Sequence, residues 1–336
     1  MNIDQIIKNK KIFIVAEAGN NHEGSFDRAV KLISKASECG ADAIKFQTFK
    51  TEKFVSGYYN INSIKKLKKF ELTYDQFHKL SLISKKKKII FMSTPLDIES
   101  ALFLNKIQNV FKIASGDNDF YDLIEVICSF NKRVIISTGI TDMKNLNKIY
   151  KIFQTKYRKN IKKKLSFLHC VTDYPVPNKF INLNSISYLK EKFLDIDIGY
   201  SDHSMGNLAC LGATMMNAKI IEKHFTLDKN TSSFRDHKLS ADPKELKELI
   251  YQVHKLIEAK GKFGKFILQN EKKNFHIVKR AYFSSTELHM NDILTKENMI
   301  MLRPRKGLFT SSQILGKKVK KNIKSGTLIK KTFLDD

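Results

Sequence analysis

The chain has 336 residues, 42% of them hydrophobic, enough to bury a sizeable core in one large domain plus a small one. No run of eighteen uncharged apolar residues occurs, and the start MNIDQIIKNKKIFIVAEAG lacks the pattern of a cleaved signal peptide, so no membrane span is expected and the cytosol is the expected compartment. The formal charge of +26 comes almost wholly from lysines spread in runs such as KKLKK and SKKKK, with no helix-turn-helix, RNP-like or zinc-finger pattern, which favours a solvated lysine surface over a nucleic-acid partner.

From the N-terminus, strand-like apolar runs alternate with helical ones. IFIVAEAG (12–19) is followed by SFDRAVKLISKASECG, whose apolar spacing is helical and which closes on Gly40. ADAIKFQTF (41–49) leads into a polar excursion with aromatics and then the helical TYDQFHKLSLISKKKK. The alternation continues through IIFMSTPLD, VFKIASGD, RVIISTG, LSFLHCVT, DIDIGYSDH and AKIIEKHFT, and its last helix is PKELKELIYQVHKLIEAKG. Eight strand–helix units in about 260 residues match a (β/α)8 TIM barrel. A doubly wound open sheet is the alternative, but the first strand ends in AEAGNNHEG rather than a GxGxxG turn.

The expected organisation is a barrel over 1–264, a linker over 265–280 and a small, mostly β domain over 281–336. That last stretch has short apolar pieces and turn signals at Met290-Asn291-Asp292 and Lys324-Ser325-Gly326. Cys39, Cys128, Cys170 and Cys210 are scattered without a CxxC pair, which argues against disulfides and a structural zinc site.

A barrel of this type carries its active site at the C-terminal strand ends. Those ends read Glu17, Asn20, Asn21 and His22; Lys45 and Gln47; Ser93 and Thr94; Lys112, Ser115 and Asp117; Ser137 and Thr138; His169, Thr172 and Tyr174; Ser201, Asp202 and His203; Glu222, Lys223 and His224. Lys45 and Lys112, with the hydroxyls of Thr94, Ser115, Ser137 and Ser201, suit an anion carrying a phosphate and a carboxylate. A histidine alone is commonly a hydrogen-bonded core residue. His203 and His224 on neighbouring strand ends can share one divalent metal, with positions left open for substrate and water.

The motifs AEAGNNHEG, GADAIKFQTF, FMSTPLD, KIASGD, ISTG, HCVTDYP, GYSDHSMG, EKHFTLD and RDHKLSADP together resemble the barrel of the sialic acid synthase family. The tail, with LRPRKGL and IKSGTLI, resembles that family's C-terminal antifreeze-like (SAF) domain. The resemblance implies a transferase that condenses phosphoenolpyruvate with an N-acetylated amino-sugar aldehyde, N-acetylmannosamine or a 2,4-diacetamido-2,4,6-trideoxyhexose, to a nine-carbon 2-keto-3-deoxy acid. It implies that His203 and His224 bind a divalent metal, manganese before magnesium or cobalt. It gives phosphoenolpyruvate to Lys45, Thr94, Lys112, Ser115, Ser137 and Ser201, sugar contacts to Glu17, Tyr174 and Asp236, and catalytic carboxylates to Glu17 and Asp117. It also implies a domain-swapped homodimer, in which Arg303 reaches the partner's sugar, with Arg305 as the other candidate. Asp117 stands where many relatives have glutamate, and RDHKLSADP departs from the commoner PDHKASLEP. The rival readings are another phosphoenolpyruvate-dependent aldol-type synthase and a basic polyanion-binding protein on an inactive barrel.

Overall fold

The structure is a computed structural model that describes residues 3–58 and 61–335. The chain divides into two compact units, Met1–Gly261 and Lys262–Asp336.

The first unit is the expected barrel. Its strands are β1 (Phe13–Gly19), β2 (Ala43–Thr48), β3 (Ile90–Pro95), β4 (Val110–Ile113), β5 (Arg133–Ser137), β6 (Leu165–Cys170), β7 (Asp197–Asp202) and β8 (Ile220–His224). All are parallel, in the order β3-β2-β1-β8-β7-β6-β5-β4. Between β3 and β4 a side chain does the work of a strand. The Gln108 amide accepts from Ser93 N at 2.7 Å and donates to Ser93 O at 3.0 Å, satisfying a buried peptide that would otherwise lack partners.

The connecting helices carry their stop and start signals where the sequence placed them. Ser25 caps Phe26–Cys39 by accepting from Arg28 N, and Gly40 ends that helix at φ +91°. Thr73 and Gln76 form a capping box on Tyr74–Lys86, and Asp242 and Glu245 form another on Pro243–Lys260. Each helix turns an apolar face onto the outside of the barrel, so Leu32, Ile33, Leu80 and Leu249 are buried with the outward residues of the strands.

Strand side chains alternate inward and outward. The lower inward tier, including Phe13, Val15, Met92, Ile135, Leu168 and Ile220, is apolar, and the helix Ile3–Lys10 packs Ile3 and Ile6 onto it. The barrel therefore has an apolar bottom and, one or two residues further along each strand, a polar top. Two further helices, Thr51–Phe54 and Ile61–Phe70, occupy the stretch read in the sequence only as a polar excursion.

The second unit pairs Ala281–Ser284 antiparallel to Met299–Leu302 and closes on a core that includes Leu288, Leu294, Ile314, Val319, Ile323 and Ile329. Asn291 and Gly326 take positive φ at the two anticipated turns, +74° and +78°. The stretch 265–280 holds two single-turn helices, Gln269–Lys272 and Phe275–Val278. Cys39, Cys128, Cys170 and Cys210 are free and buried. Among the described residues no helix is long and apolar enough to cross a membrane.

Candidate active site

The polar top of the barrel encloses a cavity of about 460 Å³. Its floor is a buried four-charge cluster. Lys45 Nζ lies 2.7 Å from Glu17 Oε2 and 3.7 Å from Glu222 Oε1, while Lys112 Nζ lies 3.4 Å from that same Glu222 oxygen. Hydroxyls complete the floor: Lys45 donates to Thr94 Oγ1 at 3.1 Å, Lys112 to Ser137 Oγ at 2.7 Å, and Ser201 Oγ to Glu222 Oε1 at 3.1 Å. Burial pushes the Glu17 carboxyl up to about 7, against the pull of Lys45. Burial also opposes the charge on Lys45, but Glu17 and Glu222 outweigh it and hold its pKa above the ordinary lysine value. For Lys112 burial prevails and the pKa is lowered. Glu222 is desolvated too, yet Lys112 and Lys45 keep its pKa below the ordinary value. The floor thus holds two cations against two carboxylates, with hydroxyls around them.

Two glycines make room for this floor. Gly19 follows an irregularity in the β1–β2 register and has φ +48°; a Cβ there would come within 3.2 Å of Glu17 Oε1. A Cβ on Gly139 would lie 2.2 Å from Thr172 Oγ1 and 2.7 Å from Ser115 Oγ, and the Gly139 N–H donates to that serine at 3.1 Å.

Above the floor stand the two histidines. Their ring centroids are 5.2 Å apart at 64°, and Tyr174 stacks on His203 at 4.1 Å. His203 Nδ1 lies 2.8 Å from the Val171 carbonyl, which can only accept; Nδ1 therefore carries the hydrogen and Nε2 keeps its lone pair. His224 Nδ1 is buried without a hydrogen-bond partner. Burial lowers both imidazoles, His203 to about 4 and His224 well below the usual histidine value, so both are neutral at pH 7. Two neutral rings, one whose Nε2 lone pair meets only the weak donor Cys170 Sγ at 3.9 Å and one with an unpartnered nitrogen, are the donor chemistry that a divalent cation takes. Among the described residues no third His, Cys, Asp or Glu completes a ligand set.

The rim comes from loops. After β8 the chain folds back over the mouth and is tied down by His237 Nδ1 and Thr226 Oγ1 at 2.7 Å and by Asn21 Nδ2 donating to Ser240 Oγ at 3.1 Å. It brings Phe234, Arg235 and Asp236 into the wall. The Arg235 guanidinium lies 4.6 Å from the Tyr174 ring centre. Burial raises the Asp236 pKa, with Arg235 opposing.

Of the residues anticipated from sequence, Glu17, Lys45, Thr94, Lys112, Ser115, Ser137, Tyr174, Ser201, His203, His224 and Asp236 all line this one cavity. Asp117 does not line it. It is the third residue of the 3-10 turn Ser115–Asp117, where each step rotates the side chain by about 120°; with Ser115 facing in, Asp117 faces elsewhere. Burial, and after it the Asp119 charge, push its carboxyl up to about 6. Arg303 belongs to the second unit, where it is exposed. Arg305 is held within that unit: its N donates to His276 O at 2.8 Å and its Nε to Arg280 O at 3.0 Å.

Several strand-end groups turn away from the mouth. Asp202 and Lys223 point outward and pair at 2.7 Å in a fully buried bridge, with Tyr200 OH donating to Asp202 at 2.9 Å. His169 contacts Ile181 O at 2.7 Å, and Asn21 donates to Phe225 O at 2.9 Å. His22 is a core residue whose Nδ1 accepts from Gly24 N at 3.0 Å. Glu222, Asn20, Gln47, Cys170 and Arg235 line the cavity without having been assigned a role from sequence. For Glu222 the signal was available: it lies two residues before His224, on the same face of β8.

His22 also sets an acid limit on stability. Burial, then the Arg28 charge, lower it to about 4, against 6.5 in the unfolded chain. Between those values the unfolded chain binds a proton that the folded one does not, so stability rises with pH across the window and is lost on acidification, by on the order of 3 kcal/mol. Urea denaturation at pH 7 and at pH 4 should show His22→Asn losing less on acidification than the parent by roughly that amount.

Comparison with known proteins gives the family and the fold. The NeuB family matches residues 32–265, and the SAF domain matches residues 279–335. The N,N'-diacetyllegionaminic acid synthase of Campylobacter jejuni is 36% identical over 96% of this chain and 99% of its own. The human N-acetylneuraminate-9-phosphate synthase is 31% identical over 96% of this chain and 93% of its own. Among solved structures, the N-acetylneuraminic acid (sialic acid) synthetase of Leptospira borgpetersenii superposes with a TM-score of 0.73 at 33% identity, covering 78% of this chain and 90% of that one. The chain belongs to the NeuB family and is a synthase of the transferase class, a TIM barrel followed by an SAF domain.

Proposed function

We propose that this enzyme condenses phosphoenolpyruvate with the open-chain aldehyde of an N-acylated amino sugar, giving a nine-carbon 2-keto-3-deoxy acid and inorganic phosphate. The observation that carries this reading is the two-tier cavity: a buried floor of two lysines, two carboxylates and hydroxyls lies beneath a pair of neutral imidazoles, and the lysines and hydroxyls are the groups a small polyanion needs. The named relatives are synthases of acids of this kind.

Lys45 and Lys112, with Thr94, Ser115, Ser137 and Ser201, hold the phosphate and carboxylate of phosphoenolpyruvate and fix its C3 toward the aldehyde. C3 attacks the aldehyde carbon and forms the new C–C bond, and the aldehyde oxygen takes a proton to become a hydroxyl. Positive charge develops at C2, where water adds; Glu17 stabilises that charge and accepts the proton the water loses. The tetrahedral carbon then breaks its C–O bond to phosphate while its hydroxyl gives its proton to the departing phosphate, leaving the C2 ketone; the water's other proton balances the one taken by the aldehyde oxygen. His203 and His224 would hold the divalent cation, manganese first and magnesium or cobalt as alternatives; when bound it supplies Lewis-acid polarisation of a carbonyl. Tyr174 and Asp236 face the sugar.

The second unit contributes, on this reading, to a partner copy in a homodimer. Arg303 is exposed and fits that role better than Arg305, which is bound into its own unit. The whole reading is tested by phosphate release from phosphoenolpyruvate with Mn²⁺ and the two acceptor types; release with neither overturns it.

A further inference from the structure

The mouth of the cavity is chemically unlike its floor. Phe54, Val55, Leu67 and Phe234 line it there, each half-buried. The lip is braced from behind, Phe54 on Phe49 at 5.5 Å and Phe234 edge-on to Phe70 at 5.2 Å, so its apolar faces are held open rather than collapsed inward. Phe54 and Leu67 come from the two short helices Thr51–Phe54 and Ile61–Phe70, Val55 from the residue that ends the first, and Phe234 from the loop after β8. Chain segments on two sides thus present hydrocarbon to whatever enters.

The polar atoms left over near this end have one sense. Asn20 Nδ2 is committed to Gln47 Oε1 at 2.8 Å, while Asn20 Oδ1 is buried with no partner. Asp236 Oδ1 has Arg235 Nε at 3.4 Å but accepts no hydrogen bond. Both atoms are acceptors, so a fitting ligand brings donors. A phosphate dianion brings none, and among the described residues the two cations at the rim are already engaged: Arg235 lies over the Tyr174 ring and beside Asp236, and Lys66 lies over the Phe234 and Phe70 rings at 4.7 and 5.6 Å.

These observations bear on the acceptor once the synthase reading is granted, and the inference rests on it. With phosphoenolpyruvate on the floor and the aldehyde at the histidine tier, the far carbons of the open-chain sugar reach the lip. We propose that the acceptor is a 2,4-diacylamino-2,4,6-trideoxyhexose, whose two amide N–H groups meet the unpartnered acceptors and whose terminal methyl lies against Phe54, Val55, Leu67 and Phe234. N-acetylmannosamine would put hydroxyls against that lip, and its 6-phosphate a dianion.

The test compares kcat/KM for 2,4-diacetamido-2,4,6-trideoxymannose, N-acetylmannosamine and N-acetylmannosamine 6-phosphate, each with phosphoenolpyruvate and Mn²⁺. The trideoxy sugar is expected to lead N-acetylmannosamine by roughly 10- to 100-fold, the range open to a hydrophobic pocket. In Leu67→Asn that ratio should narrow by about fivefold or more, which a merely structural lesion, lowering both acceptors alike, would not do. Equal or faster use of N-acetylmannosamine or its phosphate overturns the inference and leaves the synthase reading standing. Turnover of none of the three overturns the synthase reading and this inference with it.

Discussion

Lys223→Met is expected to lower the unfolding free energy by about 3–5 kcal/mol. The substitution is close in volume, so the loss does not come from a cavity. It comes from Asp202, fully buried at 2.7 Å from the Lys223 ammonium, which would be left charged in a low-dielectric layer. Tyr200 OH at 2.9 Å and Ser204 Oγ at 2.7 Å still donate to Asp202, but hydrogen bonds do not replace the counter-charge. The double variant Asp202→Asn with Lys223→Met should recover most of the loss, because it removes both charges together. Guanidinium denaturation of the three proteins checks this; a loss under about 1 kcal/mol for the single variant would mean that the pair is solvated.

His203→Ala should cut Mn²⁺-dependent phosphate release by about 10³-fold or more while the protein stays folded. Polarisation of a carbonyl by a metal is worth several kcal/mol, and each 1.36 kcal/mol is about tenfold in rate. The imidazole also stacks on Tyr174 at 4.1 Å, so the Tyr174 ring loses a support at the same time. Mn²⁺ affinity measured by electron paramagnetic resonance separates this from a packing defect: it should fall at least about tenfold while the circular dichroism spectrum is unchanged. Parent-like Mn²⁺ affinity and turnover would refute the metal role of His203.

Much of the site could be read from the chain because a barrel turns linear order into a ring. Each strand end contributes to one mouth, so a set of short motifs was enough to bring Glu17, Lys45, Thr94, Lys112, Ser137, Ser201, His203 and His224 together. What marks the strand ends does not by itself mark direction. Asp202 and Lys223 lie one position away from Ser201 and His224, and a period of two sends them to the outer layer. Alternation from His224 would have picked out Glu222 and set Lys223 aside. Asp117 lay beyond that rule, because a 3-10 turn follows its strand and replaces alternation with threefold rotation.

The apolar lip was the least legible part. Phe54 and Leu67 sit in two short, lysine-bearing helices whose sequence is polar overall, Val55 ends the first of them, and their place in the cavity wall depends on a fold-back that no local period encodes. In the same way Gln108 reads as one more surface glutamine until β3 and β4 are seen to leave a gap that its amide fills.

The most direct test of the proposed chemistry uses phosphoenolpyruvate carrying ¹⁸O in the oxygen that bridges C2 and phosphorus, incubated with the enzyme, Mn²⁺ and 2,4-diacetamido-2,4,6-trideoxymannose. Attack by C3, addition of water at C2 and C–O cleavage require the label to leave with inorganic phosphate, in step with formation of a nine-carbon keto acid. No phosphate from this acceptor or from N-acetylmannosamine, or label retained in the keto acid, would contradict it.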